Sequence, residues 1–166
     1  MRLALFQPDI PQNAGTILRT AACLGVPVAV IQPAGFDMSD RALKRAGLDY
    51  LPAATVEGHQ SLAHFEAWRA SQQPKPRLVL LTRHAALAYT DFDFAPDDVL
   101  LLGRESAGVP DEVHRLADAR ITIPLRPGLR SLNVAVAAAM VLGEGLRQTG
   151  GLPRLDEHDG AATSAD

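Results

Sequence analysis

Two loops near the end of the chain carry the residue types and spacings best suited to chemistry. The first, residues 103–110, has the sequence Gly-Arg-Glu-Ser-Ala-Gly-Val-Pro and follows an apolar run. The second, residues 123–134, has the sequence Ile-Pro-Leu-Arg-Pro-Gly-Leu-Arg-Ser-Leu-Asn-Val and precedes another apolar run. Loops at the carboxyl ends of parallel strands are where α/β proteins hold nucleotide-like ligands. The two loops therefore predict a pocket for a ligand of this kind.

A third candidate lies near the start of the chain, in the spacing Asn13-x-Gly15-x-x-x-Arg19. Gly15 and Arg19 are four residues apart, so they share one face of a helix. A glycine lets a substrate or another backbone come close, and the planar guanidinium of arginine suits phosphate and nucleic acid. Taken alone, this spacing is more often structural than functional.

Several common nucleotide sites are disfavoured. Gly103 and Gly108 have the glycine spacing of a phosphate-binding loop, but Val109 and Pro110 stand where that loop needs Lys and Ser or Thr. Without these residues the loop lacks a charge for phosphate and a hydroxyl for Mg²⁺, which disfavours hydrolysis of ATP or GTP. A Gly-x-Gly-x-x-Gly motif follows none of the predicted strands, which disfavours a standard dinucleotide fold.

The histidines, the cysteine and the serine of the second loop predict neither a metal site nor a nucleophile. The five histidines share no ligand spacing, although His59 and His64 lie five apart on a segment that we expect to be exposed. Cys23 is expected to be a small buried residue of the first helix. Ser131 lacks the Gly-x-Ser-x-Gly setting of a hydrolase. We therefore expect no metal.

The elements that must position these loops alternate as strand, helix and strand, which is the unit of a parallel sheet. Apolar runs predict strands at residues 3–6, 26–31, 53–56, 78–81, 99–102 and 121–123. Helices are predicted at 13–24, with Asn13 as N-cap and Gly25 as stop, from Ser39, at 60–71, from Pro110 and at 132–148. The expected fold is a single α/β domain with a mostly parallel sheet flanked by helices. The last helix is so apolar that we expect it to be buried in the core or against a second subunit.

Composition is that of a soluble globular protein. The chain has 166 residues, of which 47% are hydrophobic and 21% charged. Its single cysteine excludes an internal disulfide, so a reducing cytoplasm is expected. The longest apolar stretch, residues 134–142, is shorter than the roughly 20 residues of a membrane span, and the first residues do not resemble a signal peptide.

Charge is unevenly distributed along the chain. The net charge is −3, but residues 151–166 hold four of the 19 acids and one of the 16 bases, which leaves 15 of each sign in residues 1–150. Residues 151–166 are polar and small, and we expect them to form a disordered tail. Arg126 and Arg130 flank the second loop, where they could form a local basic surface for phosphates.

In their order along the chain, these segments resemble the three signature motifs of the SPOUT (SpoU-type) RNA ribose methyltransferases. The motifs are Asn13-x-Gly15-x-x-x-Arg19, Gly103-x-Glu105-x-x-Gly108-x-Pro110, and Ile123-Pro124 through Ser131-Leu132-Asn133-Val134. The similarity extends to about residue 150. Residues 8–15 and 45–50 further resemble the compact tRNA (cytidine(34)-2′-O)-methyltransferases, which have no added RNA-binding domain.

The resemblance implies a C-terminal trefoil knot that holds S-adenosylmethionine, a homodimer, and the tRNA anticodon loop as the partner. It assigns cofactor binding to Leu81, Thr82, Gly103, Ile123, Ser131 and Leu132. It assigns catalysis to Arg19 and Asn133, RNA binding to Arg19, Arg126 and Arg130, and a structural role to Asn13, Gly15, Glu105 and Gly108. Because a guanidinium stays protonated in proteins, we expect Arg19 to bind the phosphate beside the reacting hydroxyl rather than to remove its proton.

One departure from the family pattern is that Ala135 and Val136 stand where many relatives carry a polar residue. Three alternatives to methylation of nucleotide 34 stay open at this point. They are the same chemistry on another tRNA or rRNA position, a non-catalytic RNA-binding relative, and a nucleotide-binding α/β enzyme unrelated to methylation.

Overall fold

Six strands and four α-helices lie in the part of the chain that the computed structural model describes, residues 1–37 and 55–154. In chain order they are β1 (Arg2–Phe6), α1 (Pro11–Cys23), β2 (Val28–Ile31), β3 (Val56–His59), α2 (Leu62–Ser71), β4 (Leu78–Leu81), a 3-10 turn (Tyr89–Asp91), β5 (Val99–Leu102), α3 (Asp111–Leu116), β6 (Ala119–Ile121) and α4 (Val134–Thr149).

The strands form one parallel sheet in the order β3-β2-β1-β5-β4-β6. Strand β1 lies in the interior, between β2 and β5. Leu102 at the end of β5 is in register with Leu5 of β1 and with Leu81 of β4. The carboxyl ends of β1, β4 and β5 therefore lie side by side, and the chain segments that leave them share one edge of the sheet. The predicted parallel α/β architecture is confirmed.

Helices cover both faces of the sheet, and alternate strand residues point to opposite faces. One face packs on α1 and α4 through a cluster that includes Leu5, Leu18 and Leu142. The other packs on α2 and α3 through a cluster that includes Phe65 and Val113. With both faces covered, β2, β4 and β5 consist entirely of apolar residues, and burial of each Val or Leu side chain contributes about 1.5–3 kcal/mol.

The predicted cap of the first helix is wrong. Helix α1 begins at Pro11, two residues before Asn13, and its N-cap is Ile10, which makes no side-chain cap hydrogen bond. Proline suits the first helical position because its ring fixes φ and its missing N–H would be unpaired there in any case. Asn13 lies inside the first turn, where its side chain is available for other contacts. The predicted stop is confirmed, since Gly25 follows the helix with φ +66°.

Helix α4 begins at Val134, two residues later than predicted. Asn133 is its N-cap, and the Asn133 side chain accepts hydrogen bonds from the backbone N–H of Ala135 and Val136. The helix ends at Thr149, before Gly150 with φ +66°. One asparagine thus sets the start of the helix, immediately before the longest apolar stretch, residues 134–142.

Several predicted boundaries differ from those of the structure. Strand β2 begins at Val28, after Pro27, and β6 covers Ala119–Ile121 rather than 121–123 because those residues pair with β4. Strand β3 begins at Val56, while residues 53–54 and the helix predicted from Ser39 lie outside the described residues. Helices α2 and α3 begin at Leu62 and Asp111, whereas the predicted starts are residues 60 and 110.

Two predictions of burial are wrong. Cys23 is exposed at the last position of α1, because the apolar face of that helix falls on other residues. His59, predicted to be exposed, is buried at the end of β3, where its ring packs against Phe65 and Trp68. Within residues 1–37 and 55–154, no helix is both long and apolar enough to cross a bilayer.

Candidate active site

The loop that follows β5 is closed on itself. The backbone N–H of Arg104 donates to the Gly108 carbonyl at 2.9 Å, and the N–H of Gly108 donates to the Arg104 carbonyl at 2.8 Å. Gly108 has φ +68°, which a side chain would strain. A Cβ at Gly103 would lie 2.8 Å from the Gly108 carbonyl carbon and 2.9 Å from Val109 Cγ1. Both glycines therefore serve tight backbone turns.

Three polar side chains from the three motifs form one chain of hydrogen bonds at this edge of the sheet. The Asn13 amide nitrogen donates to Glu105 Oε1 at 3.1 Å. The Asn133 amide nitrogen donates to Asn13 Oδ1 at 2.9 Å. Because the amide oxygen of Asn133 caps α4, the start of α4 is tied to α1 and to the loop 103–110. The structural roles predicted for Asn13 and Glu105 are consistent with this placement.

Asp9, which follows β1, binds the same loop from the other side. Its carboxylate accepts hydrogen bonds from the Glu105 backbone N–H at 3.2 Å and from the Ser106 hydroxyl, and it lies 3.6 Å from Arg104 Nε. The Asp9 backbone N–H in turn donates to Glu105 Oε2 at 3.2 Å. Both oxygens of Glu105 are thus engaged, one by Asp9 and one by Asn13.

The pKa values of the two carboxyl groups in this cluster are shifted in opposite directions. Hydrogen bonds with Glu105 and Ser106 lower the pKa of Asp9 to about 2. Burial raises the pKa of Glu105, and Asp9 adds to that increase, while the hydrogen bond from Asn13 opposes it. The cluster therefore keeps Asp9 ionised and makes Glu105 the group that takes up a proton first.

The segments after β4 and β6 are joined by backbone hydrogen bonds. The Thr82 N–H donates to the Ile121 carbonyl, and the Thr122 N–H donates to the Leu87 carbonyl, each at 2.9 Å. Leu81 and Ile123, on either side of this junction, are partly buried against the core cluster of α1 and α4. Leu81, Thr82 and Ile123 therefore lie on neighbouring segments, as the predicted cofactor pocket requires, and Gly103 follows the adjacent strand.

The remaining predicted cofactor and RNA residues lie in the exposed loop that leads to α4. Ser131 and Leu132 are exposed, as are Arg126 and Arg130. A turn is closed by the Leu129 N–H, which donates to the Arg126 carbonyl at 3.2 Å. The two arginines are therefore accessible on the loop whose far end is anchored by the cap of α4.

Arg19 and Gly15 occupy different environments on α1. Gly15 is buried, whereas Arg19 is exposed. Arg19 lies six residues after Asn13, which is about 9 Å farther along the helix axis. The structure thus places Arg19 on the surface of the helix whose first turn carries Asn13.

The residues at this edge fit an uncharged, largely apolar ligand such as an adenosyl group. Leu87, Leu125 and Leu132 are large apolar side chains that remain 37–40% exposed beside the segments described above. The carboxylates of Asp9 and Glu105 already have partners. Among the described residues, no group of three or more His, Cys, Asp or Glu side chains is placed to hold a metal ion.

Comparison with known proteins identifies the family of this chain. The model of the SpoU rRNA methylase family matches residues 1–143. This chain belongs to that family. A tRNA (cytidine(34)-2′-O)-methyltransferase of Beijerinckia indica is 61% identical over 153 residues, which are 92% of this chain and 94% of the relative.

Solved structures of the family have the same fold. One, described as giving insights into the 2-OH methylation of C/U34 on tRNA, is 40% identical with a TM-score of 0.81, over 89% of this chain and 94% of that one. A SpoU methyltransferase of Streptomyces viridochromogenes in complex with the cofactor AdoMet is 28% identical with a TM-score of 0.80, over 89% of this chain and 60% of that one. The predicted family is confirmed.

Three polar residues of the cluster have no role in the sequence predictions: Asp9, Arg104 and Ser106. All three lie inside the quoted motifs, but no spacing marks the contact between Asp9 and Ser106, since they are 97 residues apart. The one available signal is an acid between two prolines, Pro8 and Pro11, just after a buried strand.

Proposed function

We propose that this chain is an S-adenosylmethionine-dependent 2′-O-methyltransferase that acts on nucleotide 34 of tRNA, a cytidine or a modified uridine. The observation that carries the proposal is the hydrogen-bonded chain Glu105–Asn13–Asn133, which brings the three motifs to one edge of the sheet. The relatives named above supply the substrate, because they are named for, or described as showing, methylation at position 34.

When bound, S-adenosylmethionine supplies an electrophilic methyl group on sulfur, which passes to the ribose oxygen as the S–C bond breaks. We infer that Leu81, Thr82, Gly103, Ile123, Ser131 and Leu132 hold the cofactor. Backbone groups at these turns would bind its polar atoms, and the apolar side chains would enclose its adenine.

Arg19 is proposed to act on the RNA rather than on the cofactor. Its exposed guanidinium can bind the phosphate next to the reacting ribose through two parallel hydrogen bonds. The positive charge would stabilise the developing oxyanion, and the proton would leave to phosphate or water. Asn133 is proposed to orient the loop that carries Ser131 and Leu132, since it caps α4 and binds Asn13.

Arg126 and Arg130 are proposed to bind the tRNA backbone. They are four residues apart on one exposed loop next to the proposed cofactor residues. Contacts of arginine with phosphate add affinity that falls as salt concentration rises. Because residues 1–150 carry as many acidic as basic side chains, the attraction to RNA must come from local contacts of this kind.

We infer that the C-terminal segment forms the trefoil knot that the family resemblance implies. The support is topological: β6 lies at one end of the sheet, whereas α4 packs with α1 beside the interior strand β1. The segment between them must cross the edge that carries the loop 103–110. Pulling the chain from both ends would test the knot, because a tightened knot leaves the stretched chain shorter than about 3.3–3.6 Å per residue.

We propose a homodimer that buries one face of α4. Val136 and Met140, four residues apart, are 51% and 39% exposed although both are large and apolar. Residues at this spacing share one face of a helix, and burial of such an apolar face against a partner is favourable because it removes the face from water.

We further propose that the methyltransferase domain ends near residue 150, where α4 stops. The enzyme is proposed to work in the cytoplasm. Residues 155–166 of the predicted tail lie outside the described residues.

Methylation of tRNA isolated from a strain in which the gene is deleted tests the function directly. Incubation with the protein and S-adenosylmethionine should add one methyl group to the ribose of nucleotide 34, located by nuclease digestion and mass spectrometry. A transcript with 2′-deoxycytidine at position 34 is the matched control and should accept no methyl group.

Other results would support the alternatives. A methyl group at another nucleotide would support the same chemistry on a different RNA position. Binding of tRNA and cofactor without methyl transfer would support a non-catalytic relative. Failure to bind S-adenosylmethionine in calorimetry would refute the proposed function, because methylation at position 34 or at any other RNA position requires the cofactor.

A further inference from the structure

Asp9 lies between the turn at Gly35 and the loop 103–110, at the carboxyl edge of the sheet. It lies three residues after β1, and β1 is paired with β5, which leads into the loop 103–110. The Gly35 N–H donates to the Pro8 carbonyl at 2.8 Å. A Cβ at Gly35 would lie 2.9 Å from both Cα and Cβ of Asp9, so the turn at Gly35 packs directly against the Asp9 backbone. Asp9 is therefore fixed independently of the loop that it contacts.

The contacts between Asp9 and Glu105 run in both directions. The Asp9 carboxylate accepts from the Glu105 N–H, and the Asp9 N–H donates to the Glu105 carboxylate, both at 3.2 Å. This reciprocal pair fixes the backbone and the side chain of Glu105 together. Because the second Glu105 oxygen accepts from Asn13, the position of Asp9 affects the whole connection to Asn133.

Asp9 also supplies the counter-charge for Arg104. The Arg104 Nε is buried and has no hydrogen-bond partner among the described residues, and Asp9 Oδ2 lies 3.6 Å away. The same carboxylate accepts from the Ser106 hydroxyl. Residues 104, 105 and 106 are therefore all held by one carboxylate.

We propose that Asp9 is a positioning residue for S-adenosylmethionine binding, which acts by fixing residues 104–106 and, through them, Gly103. This inference rests on the proposed function and identifies a residue outside its predicted cofactor, catalytic and RNA-binding sets. Asp9 acts through the loop, since its carboxylate oxygens are directed to Glu105, Ser106 and Arg104. Its loss should weaken cofactor binding more than RNA binding.

Asp9→Asn is the principal variant because it keeps the size of the side chain and removes its charge. The amide keeps one acceptor for the Glu105 N–H but presents an N–H group toward Ser106 and Arg104. Asp9→Glu keeps the charge on a longer side chain. Asp111→Asn is the matched control: it removes an exposed charge at the start of α3, just beyond the same loop.

Calorimetry with S-adenosylmethionine and steady-state kinetics with tRNA give separate readouts. Asp9→Asn should raise the Kd for the cofactor about tenfold or more, the scale of losing a hydrogen bond to a charged group, and leave the KM for tRNA within about twofold. Asp9→Glu should recover part of the cofactor affinity, and Asp111→Asn should match the wild type. Ser106→Ala, which removes one of the partners, should weaken cofactor binding less than Asp9→Asn.

Two results would overturn the proposal. They are an unchanged cofactor Kd in Asp9→Asn, with or without a fall in kcat, and an equal rise in the cofactor Kd and in the KM for tRNA. If Asp9→Asn does not fold, Arg104→Gln and Ser106→Ala test the same contacts from the loop side, and normal cofactor affinity in both would overturn the proposal. Wild-type protein that fails to bind the cofactor would instead refute the proposed function.

Discussion

The side chains of Asn133 and Asn13 meet at 2.9 Å across 120 residues of sequence. Asn133 donates through its amide nitrogen, while its oxygen accepts the N–H groups of Ala135 and Val136 at the start of α4. Asn13 accepts from Asn133 and donates to Glu105. Each asparagine thus donates through its amide nitrogen and accepts through its amide oxygen, which an ionised aspartate at the same position could not do because a carboxylate only accepts.

Substitution of Asn133 separates its two roles. Asn133→Asp keeps an oxygen that can cap α4 but removes the donor to Asn13, so we expect stability close to that of the wild type and a marked loss of methyl transfer. Asn133→Ala removes both, and loss of the cap alone should reduce the free energy of unfolding by about 0.5–2 kcal/mol. Urea unfolding and tRNA methylation assays measure the two effects. Full activity in Asn133→Asp would show that the contact with Asn13 is dispensable.

Gly103 and Gly108 are predicted to tolerate alanine differently. At Gly103 an added Cβ meets the backbone of Gly108 at 2.8 Å, so the loop must move. At Gly108 there is open space, and the cost is the strain of φ +68°, about 1–2 kcal/mol. Gly25→Ala, with φ +66° and open space far from the loop, is the control for strain alone.

Cofactor affinity and unfolding together distinguish these alanine variants. Gly103→Ala should weaken S-adenosylmethionine binding more strongly than Gly108→Ala, whereas Gly25→Ala should lower stability and leave the cofactor Kd unchanged. Equal cofactor affinity in Gly103→Ala and the wild type would mean that the close approach at Gly103 has no part in the pocket.

The parallel α/β fold follows from the sequence because β2, β4 and β5 are short, wholly apolar runs, and β4 and β5 begin and end at the predicted residues. The start of α1 could not be predicted from Asn13, because a proline two residues earlier decides it. The cluster at the sheet edge depends on contacts between residues more than 90 positions apart, such as Asp9 with Glu105. Periodicity describes one element at a time, so it carries no information about such contacts.

Arg19 is predicted to require the shape of its guanidinium as well as its charge. Arg19→Lys keeps the positive charge but loses the two parallel donors that bind a phosphate. We expect a fall in methyl transfer of at least tenfold, with S-adenosylmethionine binding unchanged, in assays of the purified protein with tRNA. Near-native turnover in Arg19→Lys would refute the proposed two-donor contact with phosphate.

The homodimer is predicted to depend on the apolar face of α4. Val136→Lys places a charge at the centre of this face and should shift the protein to a monomer in sedimentation velocity. Val56→Lys is the control, since Val56 is also exposed, at 37%, but lies on the edge strand β3. A wild-type protein that is monomeric at micromolar concentration would contradict the proposal.

His59 should make the stability of the fold depend on pH near neutrality. Its ring is 1% exposed, and neither ring nitrogen has a hydrogen-bond partner among the described residues. Burial lowers its pKa; Glu57, with Oε1 3.9 Å from Nε2, opposes this, while His64 and Arg2 add to it. In the unfolded chain the pKa is about 6.5, so below that pH the unfolded state takes up a proton that the folded state resists. Stability should fall from pH 7.5 to 5.5, by at most about 1.4 kcal/mol per pH unit.

The comparison with His59→Phe isolates this effect from other titrating groups. Phenylalanine fills the same apolar site beside Phe65 and Trp68 without a proton to bind. Urea unfolding at pH 7.5 and 5.5 should therefore show a smaller loss of stability in His59→Phe than in the wild type. His64→Gln, which changes an exposed histidine, should retain most of the wild-type loss. Equal pH dependence in His59→Phe and the wild type would contradict the prediction, because it would show that His59 takes up its proton as readily in the folded state as in the unfolded state.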